Sequence, residues 1–174
     1  MINRGNDKAT NVTLITSNRC VLQNNMLFLL ADASSSSPLH SNISLIAATD
    51  NETGGSFRVF TKTSNSPLNV NFTSAPVDSL LHFDGATSNS PAHLSLHSTY
   101  EGSFALRSSA FFQPRVEARE DVEDPAGKGR RRNVEIRSIR RGTTEGKVTW
   151  ESSGDRELGN VELRTSNMPV TLAL

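Results

Sequence analysis

The residues best suited to metal chemistry form a histidine-rich stretch in the middle of the chain. The candidate ligands are His82, Asp84, His93 and His97. On one strand, His93 and His97 would point to the same face but stand about 13 Å apart. That separation is too large for both to bind one zinc ion. We therefore expect no metal site or other cofactor site, and we expect these histidines to be exposed or partly buried.

Catalytic chemistry is not indicated by the remaining polar residues. Serine is abundant, but a serine nucleophile needs a base and an oxyanion hole, and the chain has no Gly-x-Ser-x-Gly nucleophile elbow. Carbohydrate-active β-solenoids carry paired acidic groups, whereas Asp78 and Asp84 have no evident partner carboxylate. The segment Gly127-Lys128-Gly129 lacks the spacing of a phosphate-binding loop. The sequence therefore predicts no catalytic residues and a protein that is not an enzyme.

Charge is balanced over the whole chain and concentrated in one segment. Lys plus Arg and Asp plus Glu number 18 each, so no net field attracts nucleic acid or an anionic membrane. Residues 114–132 hold an acidic run, a Pro/Gly turn and then the basic run Lys128–Arg132. We interpret 114–132 as an exposed inserted loop in which Glu120, Asp121, Glu123 and Asp124 pair with the basic run. A strand over Asn133–Ile139 follows it.

The N-terminal residues give no indication of a membrane or secretory destination. Residues 1–10 are polar, with no apolar run behind Arg4 and Lys8, which is not typical of a secretory signal. The apolar run Met26–Leu30 is too short to span a bilayer. Cys20 is the only cysteine, so an intrachain disulfide is excluded. These features predict a cytoplasmic protein without membrane insertion.

A tripeptide that ends in asparagine recurs with a period of about 24 residues, which lies in the range typical of repeat proteins. Its first four copies are almost evenly spaced, and the longer interval before the last copy fits three further periods plus an insertion. Asparagine suits a sharp corner because it tolerates left-handed backbone and bonds locally. If stacked strands place the copies side by side, their amides form a ladder through Asn18, Asn42, Asn65, Asn89 and Asn167. The copies are Thr16-Ser17-Asn18, His40-Ser41-Asn42, Thr63-Ser64-Asn65, Thr87-Ser88-Asn89 and Thr165-Ser166-Asn167.

Strands flank these corners. After the corner at Asn65 come Pro67 and then apolar residues at alternate positions, Leu68, Val70 and Phe72. Alternation of this kind is typical of a strand with one buried face. A glycine begins a second alternating run at Gly102, Gly146 and Gly159. We therefore predict a single all-β domain over 1–174, a β-solenoid of about 24-residue coils, with 1–50 forming irregular N-terminal coils.

A β-sandwich or meander is the alternative fold. The strands between Val148 and Leu174 are close enough in sequence to pair as antiparallel hairpins. Ser153-Gly154-Asp155 would supply the turn, which fits hairpin chemistry. The regular spacing of the corners favours the solenoid, because hairpin sheets do not require a fixed corner tripeptide.

Several motifs together resemble a known family. They are Thr63-Ser64-Asn65-Ser66-Pro67, Thr87-Ser88-Asn89-Ser90-Pro91, Thr165-Ser166-Asn167-Met168-Pro169, Tyr100-Glu101-Gly102-Ser103-Phe104 and Asp124-Pro125-Ala126-Gly127-Lys128-Gly129-Arg130-Arg131-Arg132. The chain from Asn51 to Leu174 resembles domains of unknown function from basidiomycete fungi, which are themselves similar to bacterial adhesin β-solenoids. Before Asn51 the chain departs from the pattern, with Met26–Leu30 out of register. The resemblance implies a fold and a fungal source, and no activity.

These observations predict a structural or interaction module that binds an unknown protein partner. Val170–Leu174 is an apolar strand without a polar cap, and uncapped terminal coils tend to associate edge to edge. We therefore expect self-association there, or coverage by the N-terminal segment. The alternative function is a carbohydrate-binding or carbohydrate-active solenoid. Sugar sites use exposed aromatics, whereas Trp150, the only tryptophan, falls at an inward position of its strand.

Overall fold

The computed structural model describes residues 12–14, 20–23, 26–33, 38–46, 53–119, 121–151 and 157–174. This part of the chain is all-β, with two sheets and no helix, and so contains no helix that could cross a membrane. The strands are β1 (Val12–Leu14), β2 (Cys20–Gln23), β3 (Met26–Ala33), β4 (Leu39–Leu45), β5 (Ser56–Thr63), β6 (Leu68–Ser74), β7 (Leu80–Thr87), β8 (Ala92–Ser95), β9 (Gly102–Arg107), β10 (Arg115–Glu117), β11 (Arg132–Arg140), β12 (Thr143–Trp150), β13 (Gly159–Thr165) and β14 (Val170–Ala173).

From β3 to β11 the chain alternates between the two sheets. The eight-stranded sheet has the order β11-β12-β9-β13-β7-β5-β3-β2, and the six-stranded sheet has the order β1-β4-β6-β8-β14-β10. We call a strand of the first sheet and the following strand of the second a two-strand unit. Five units stack with parallel pairing in both sheets, in the spatial order β3/β4, β5/β6, β7/β8, β13/β14 and β9/β10. Antiparallel strands flank the stack: β2 and β1 beyond β3/β4, and β12 and β11 beyond β9.

The C-terminal unit lies inside the stack. β13 pairs with β7 on one side and β9 on the other, and β14 lies between β8 and β10. The long interval before Asn167 is therefore not a run of three further coils. The chain leaves after β8, builds β9 to β12 on the far side, and returns to fill the position beside β7/β8.

This position corrects the prediction about the C-terminal strand. The sequence predicts Val170–Leu174 to be an uncapped end that drives self-association or is covered by the N-terminal segment. Instead, β14 has a neighbour on both edges, and Val170, Leu172 and Leu174 are buried. Because both edges of β14 are paired, this strand offers no free edge for self-association.

The hairpin pairing between Val148 and Leu174, which the alternative fold would use, does not occur among the described strands. β12 pairs with β9 and β11 and does not pair with β13, while β13 and β14 belong to different sheets. The short connection favours a hairpin locally, but β13 gains parallel partners on both sides by lying between β7 and β9. The turn Ser153-Gly154-Asp155 lies outside the described residues.

The alternating apolar residues point between the sheets, as the strand prediction requires. Leu68, Val70 and Phe72 of β6 are buried, and so are the matching positions of β8 and β14. The rings of Phe72 and Phe83, one from each sheet, meet edge to face with centroids 6.0 Å apart. The core is therefore the layer of side chains between the sheets, where a fully buried large apolar residue contributes about 1.5–3 kcal/mol.

Two glycines allow the inserted unit to approach its neighbour. Gly159 of β13 and Gly102 of β9 occupy paired positions, and the main-chain N–H of Gly159 donates to the carbonyl of Glu101 at 3.0 Å. A Cβ at Gly102 would overlap with the main chain of Gly159 and with the hydroxyl of Tyr100. The Gly-x-apolar-x-apolar motif thus begins both strands in the same register. Its third copy, from Gly146, lies on the antiparallel strand β12 and is not equivalent.

Two described strands of the N-terminal region, β3 and β4, pair with the next unit of the stack. Met26–Ala33 pairs with Ser56–Thr63 in parallel and without a shift, so the expected loss of register at Met26–Leu30 does not occur. The main-chain N–H of Leu39 donates to the carbonyl of Pro67 at 2.9 Å. The same bond joins Leu68 to Pro91, so Pro38 takes the place of the other corner prolines. The connection 34–38 is longer by a single residue than the equivalent connection 64–67.

Candidate functional site

Three of the predicted ladder asparagines lie side by side at the corner. The side-chain amide of Asn89 donates from Nδ2 to Oδ1 of Asn65 at 2.8 Å, and Nδ2 of Asn167 donates to Oδ1 of Asn89 at 2.7 Å. Beneath them, Oγ1 of the buried Thr165 donates to the carbonyl of Ser90 at 3.2 Å. The corner tripeptide thus joins three adjacent units through side chains as well as through the main chain.

The other two predicted ladder positions differ. Asn42 lies within β4 and not at a corner, so the prediction for it is wrong. Its Oδ1 accepts a bond from Nδ2 of Asn71 on β6 at 3.3 Å, on the exposed face of the six-stranded sheet. The match of His40-Ser41-Asn42 to the tripeptide reflects composition, because the connection between β3 and β4 falls at 34–38. Asn18 lies outside the described residues.

The histidine-rich stretch is divided between the two sheets. His82 and Asp84 lie on β7 in the eight-stranded sheet, whereas His93 lies on β8 in the six-stranded sheet and His97 lies beyond the end of β8. No group of three or more His, Cys, Asp or Glu residues that could hold a metal ion occurs among the described residues. Partial burial lowers the pKa of His97, whose Nδ1 lies 3.0 Å from Oγ1 of Thr99. This arrangement suits a structural role for His97.

The outer face of the eight-stranded sheet carries the most varied set of polar side chains. In-register pairing aligns Arg58, His82 and Asn160 in one row across β5, β7 and β13. Two residues further along each strand, a second row on the same face aligns Phe60, Asp84 and Glu162. Together they line a shallow depression of about 210 Å³, which we call the outer-face site. Its residues are Arg58, Phe60, His82, Phe83, Asp84, Asn160 and Glu162.

Ion pairs and one hydrogen bond order the edge of the outer-face site. Arg164 lies 3.6 Å from Asp84 and 3.3 Å from Glu162, and Arg107 on β9 lies 3.5 Å from Glu162. These groups are between a quarter and about half exposed, so each pair is worth no more than about 1 kcal/mol. The hydroxyl of Ser103 donates to Oδ1 of Asn160 at 2.9 Å. Asp84, Asn160 and Glu162 are thus held in position while they remain accessible to a ligand.

Sequence reasoning missed the partner of Asp84. Glu162 occupies the position directly opposite Asp84 on the adjacent strand, although the two are far apart in the sequence. The corner repeat could have revealed this pair. When Thr87-Ser88-Asn89 is aligned with Thr165-Ser166-Asn167, Asp84 and Glu162 fall at the same position of the repeat. Phe60 was also missed; it is 39% exposed on the outer face of the sheet.

The charged segment is organised around the carboxylate of Asp124. Its Oδ1 accepts bonds from the main-chain N–H of Ala126 and from Nη2 of Arg130, at 3.0 and 2.8 Å. Its Oδ2 accepts from the main-chain N–H groups of Lys128 and Arg130 and from Nε of Arg130, at 2.9, 3.1 and 3.1 Å. Gly127 and Gly129 have positive φ and let the loop close around the acid.

Arg130 fastens this loop to the sheets. Its Nη1 lies 3.8 Å from the nearly buried carboxylate of Glu101, and its guanidinium lies 5.7 Å from the ring centroid of Trp150. Trp150 is only 2% exposed, and its Nε1 donates to the carbonyl of Ser98 at 3.3 Å. The Tyr100–Phe104 motif and the Asp124–Arg132 motif therefore meet at one point. The predicted pairing of acid with base occurs at Asp124 and Arg130, within an anchored loop.

The pKa of Asp124 predicts an acid-sensitive contribution to stability. The hydrogen bonds from Arg130 are the largest cause that lowers the pKa of Asp124 below the usual carboxyl value of 3.8, and the main-chain donors add to them. A lowered pKa means that the contribution is complete above the unfolded-state value and is lost as the pH falls through the folded-state value. Wild type should therefore be more stable than Asp124→Asn by a constant margin from pH 5 to 8.

That margin should shrink steadily below about pH 4, and urea unfolding followed by Trp150 fluorescence at each pH measures it. Asp121→Asn, an exposed acid in the same loop, is the matched control and should change stability by less than about 0.5 kcal/mol. A margin that does not change between pH 6 and pH 3 would contradict the assignment.

The asparagine row predicts a local contribution to stability. Asn89→Ala removes two side-chain bonds, so its free energy of unfolding in urea should fall by about 1–2 kcal/mol. Asn71→Ala is the control, because it removes one longer exposed bond and should cost less than about 0.5 kcal/mol. Equal losses in the two variants would show that the corner amides add nothing specific.

Comparison with known proteins identifies no relative of this chain. No family model matches it, and neither a curated protein nor a solved structure matches it. The resemblance to the basidiomycete domains remains a prediction from the motifs. Function must therefore be argued from the residues and their geometry alone.

Proposed function

We propose that this chain is a non-catalytic structural and interaction module, built as a short β-solenoid, that binds a protein partner through its outer-face site. Five parallel two-strand units with like residues in register support the solenoid interpretation. In such arrays each unit contacts only its neighbours, and the stacked outer faces form a continuous binding surface. The role is adhesin-like by analogy between folds, as the motif resemblance implies.

The observation that carries the proposal is an exposed aromatic residue within an ordered polar surround. Phe60 lies beside Arg58 on its own strand and Asp84 on the next, and His82 completes the surround. Protein interfaces concentrate binding energy in aromatic and arginine residues ringed by polar groups. Residues of both charge signs at fixed positions select partners by electrostatic complementarity. The outer-face site combines these features.

A photo-crosslinking residue tests where a partner binds. We expect p-benzoylphenylalanine at position 60 to form an adduct with one protein in extracts of the source cells. The same residue at position 69, on the exposed face of the six-stranded sheet, should not form that adduct. With the purified partner, Phe60→Ala should weaken binding about tenfold or more. Equal adducts at both positions, or unchanged binding by Phe60→Ala, would refute the proposal.

Carbohydrate binding is the second candidate, favoured by the shape and lining of the same depression. Sugar rings stack on exposed aromatic faces while carboxylates, amides and arginines bind their hydroxyls, and Phe60, Glu162 and Asn160 offer these groups. The version that uses Trp150 as a platform is wrong, because its ring is buried beneath Arg130.

A glycan array distinguishes the two candidates. If the site binds sugar, the chain should retain a defined set of glycans, and both Phe60→Ala and Asp84→Asn should lose them. Asn69→Ala on the other sheet is the control and should bind as wild type does. An array without binding above background, together with a position-60 protein adduct, would eliminate the carbohydrate candidate.

A further inference from the structure

β11 forms an open edge at one end of the eight-stranded sheet. It pairs with β12 along one side, and no other described strand pairs with its second side. With nine residues it is the longest described strand, and it contains no proline. A long edge strand of this kind presents a row of free N–H and C=O groups, which is a template for pairing with another strand.

The main-chain groups that face this open edge belong to alternate residues of β11. The carbonyl of Glu135 lies against Gly146 of β12, so Glu135 directs its main chain toward the sheet. In antiparallel pairing, the residues on either side direct their N–H and C=O groups the opposite way. Val134, Ile136 and Ser138 therefore offer their main-chain groups to a new strand. A β-bulge after Ser138 ends the regular run.

Exposed apolar side chains are concentrated at this same end of the molecule. Four of the six large apolar residues that are exposed in the described part of the chain lie on β11 or on the segment before β10. That segment contacts β11, because Nε2 of Gln113 donates to Oγ of Ser138 at 3.0 Å. Exposed apolar residues concentrated in one place commonly mark an interaction surface. The four residues are Phe111, Phe112, Ile136 and Ile139.

The charges of β11 favour a second copy of the same strand. Glu135 and Arg137 lie on one face and form an ion pair at 3.2 Å. On β12, Lys147 lies opposite Glu135. Glu145 lies opposite Arg137 in the same way. If a second β11 joins in antiparallel orientation with Ile136 opposite its own copy, each Glu135 falls opposite an Arg137. The alternation of acid and base then continues across the junction.

We propose that this protein forms a twofold dimer in which β11 pairs in antiparallel orientation with β11 of a second copy, centred on Ile136. The pairing joins the two eight-stranded sheets through about six main-chain hydrogen bonds over residues 134–138. Opposite charges directly across such a pair stabilise it, and like charges destabilise it. Lys plus Arg and Asp plus Glu number 18 each, so two copies carry no net repulsion. A small interface of this kind predicts a weak dimer, with a Kd on the order of 10–100 μM.

Sedimentation equilibrium of the full chain from about 1 μM to 1 mM tests the dimer. Wild type should shift from monomer to dimer over this range. Glu135→Arg places base opposite base at both symmetric positions and should raise the Kd about tenfold or more. Arg137→Glu places acid opposite acid and should have the same effect. Glu157→Arg makes the first charge change at an exposed position outside β11 and should associate as wild type does.

Mixing the two charge variants tests the antiparallel register. In a mixed dimer of Glu135→Arg with Arg137→Glu, opposite charges again face each other at both positions. The equimolar mixture should therefore associate about tenfold or more tightly than either variant alone. A mixture that associates no better than its components would overturn the proposed pairing.

A proline variant separates the dimer from the fold of the monomer. The N–H that Ile136→Pro removes faces the open edge, so the bonds to β12 remain while the central bonds of the dimer are lost. This variant should fold, as Trp150 fluorescence reports, and should stay monomeric at about 1 mM. Wild type that is monomeric at that concentration would refute the dimer and leave the edge to a strand of another protein. A dimer that survives Ile136→Pro or either single charge reversal would refute it as well.

Discussion

The fold depends on parallel pairing without offset between neighbouring two-strand units. When strands pair in this way, each residue lies beside the residue at the same position of the next unit, so like groups form rows. The buried rows bring Val161 against Phe83 and Phe104, and the corner row brings Asn89 against Asn65 and Asn167. One unit alone buries only a few apolar side chains, too few to offset the entropy of ordering its backbone. Stability must therefore come from contacts between units.

Local structure could be predicted from the sequence, while spatial order could not. Alternating apolar residues and a proline after the corner indicate strands because both depend on the local backbone conformation. They do not say which unit lies beside which. The placement of β13 between β7 and β9 follows from pairing between segments that are distant in the sequence, and no local signal marks it. Asn42 shows the converse error, because a tripeptide match at the right spacing falls within a strand.

The charged segment shows why a charge pattern alone does not locate a site. Acidic and basic runs predict a solvated loop with internal pairing, and Asp124 with Arg130 fits that expectation. The structure adds what composition cannot: Arg130 also contacts Glu101 and Trp150 on the sheets. Once the loop is fixed there, the chain enters β11 with Arg132 directed inward. Two arginines so close in sequence thus differ in their surroundings, because Arg130 has described acidic partners and the guanidinium nitrogens of Arg132 have none among the described residues.

The same topology assembles the surface on which the proposed function rests. Asp84 and Glu162, like His82 and Asn160, become neighbours only because the C-terminal unit returns to the middle of the stack. If the units followed chain order, β9 would lie beside β7, and the small residues Ser103 and Ala105 would occupy those positions. The return of the chain therefore does more than complete the core. It replaces two small side chains with an acid beside Asp84 and an amide beside His82, and these groups line the depression that Phe60 borders on its other side.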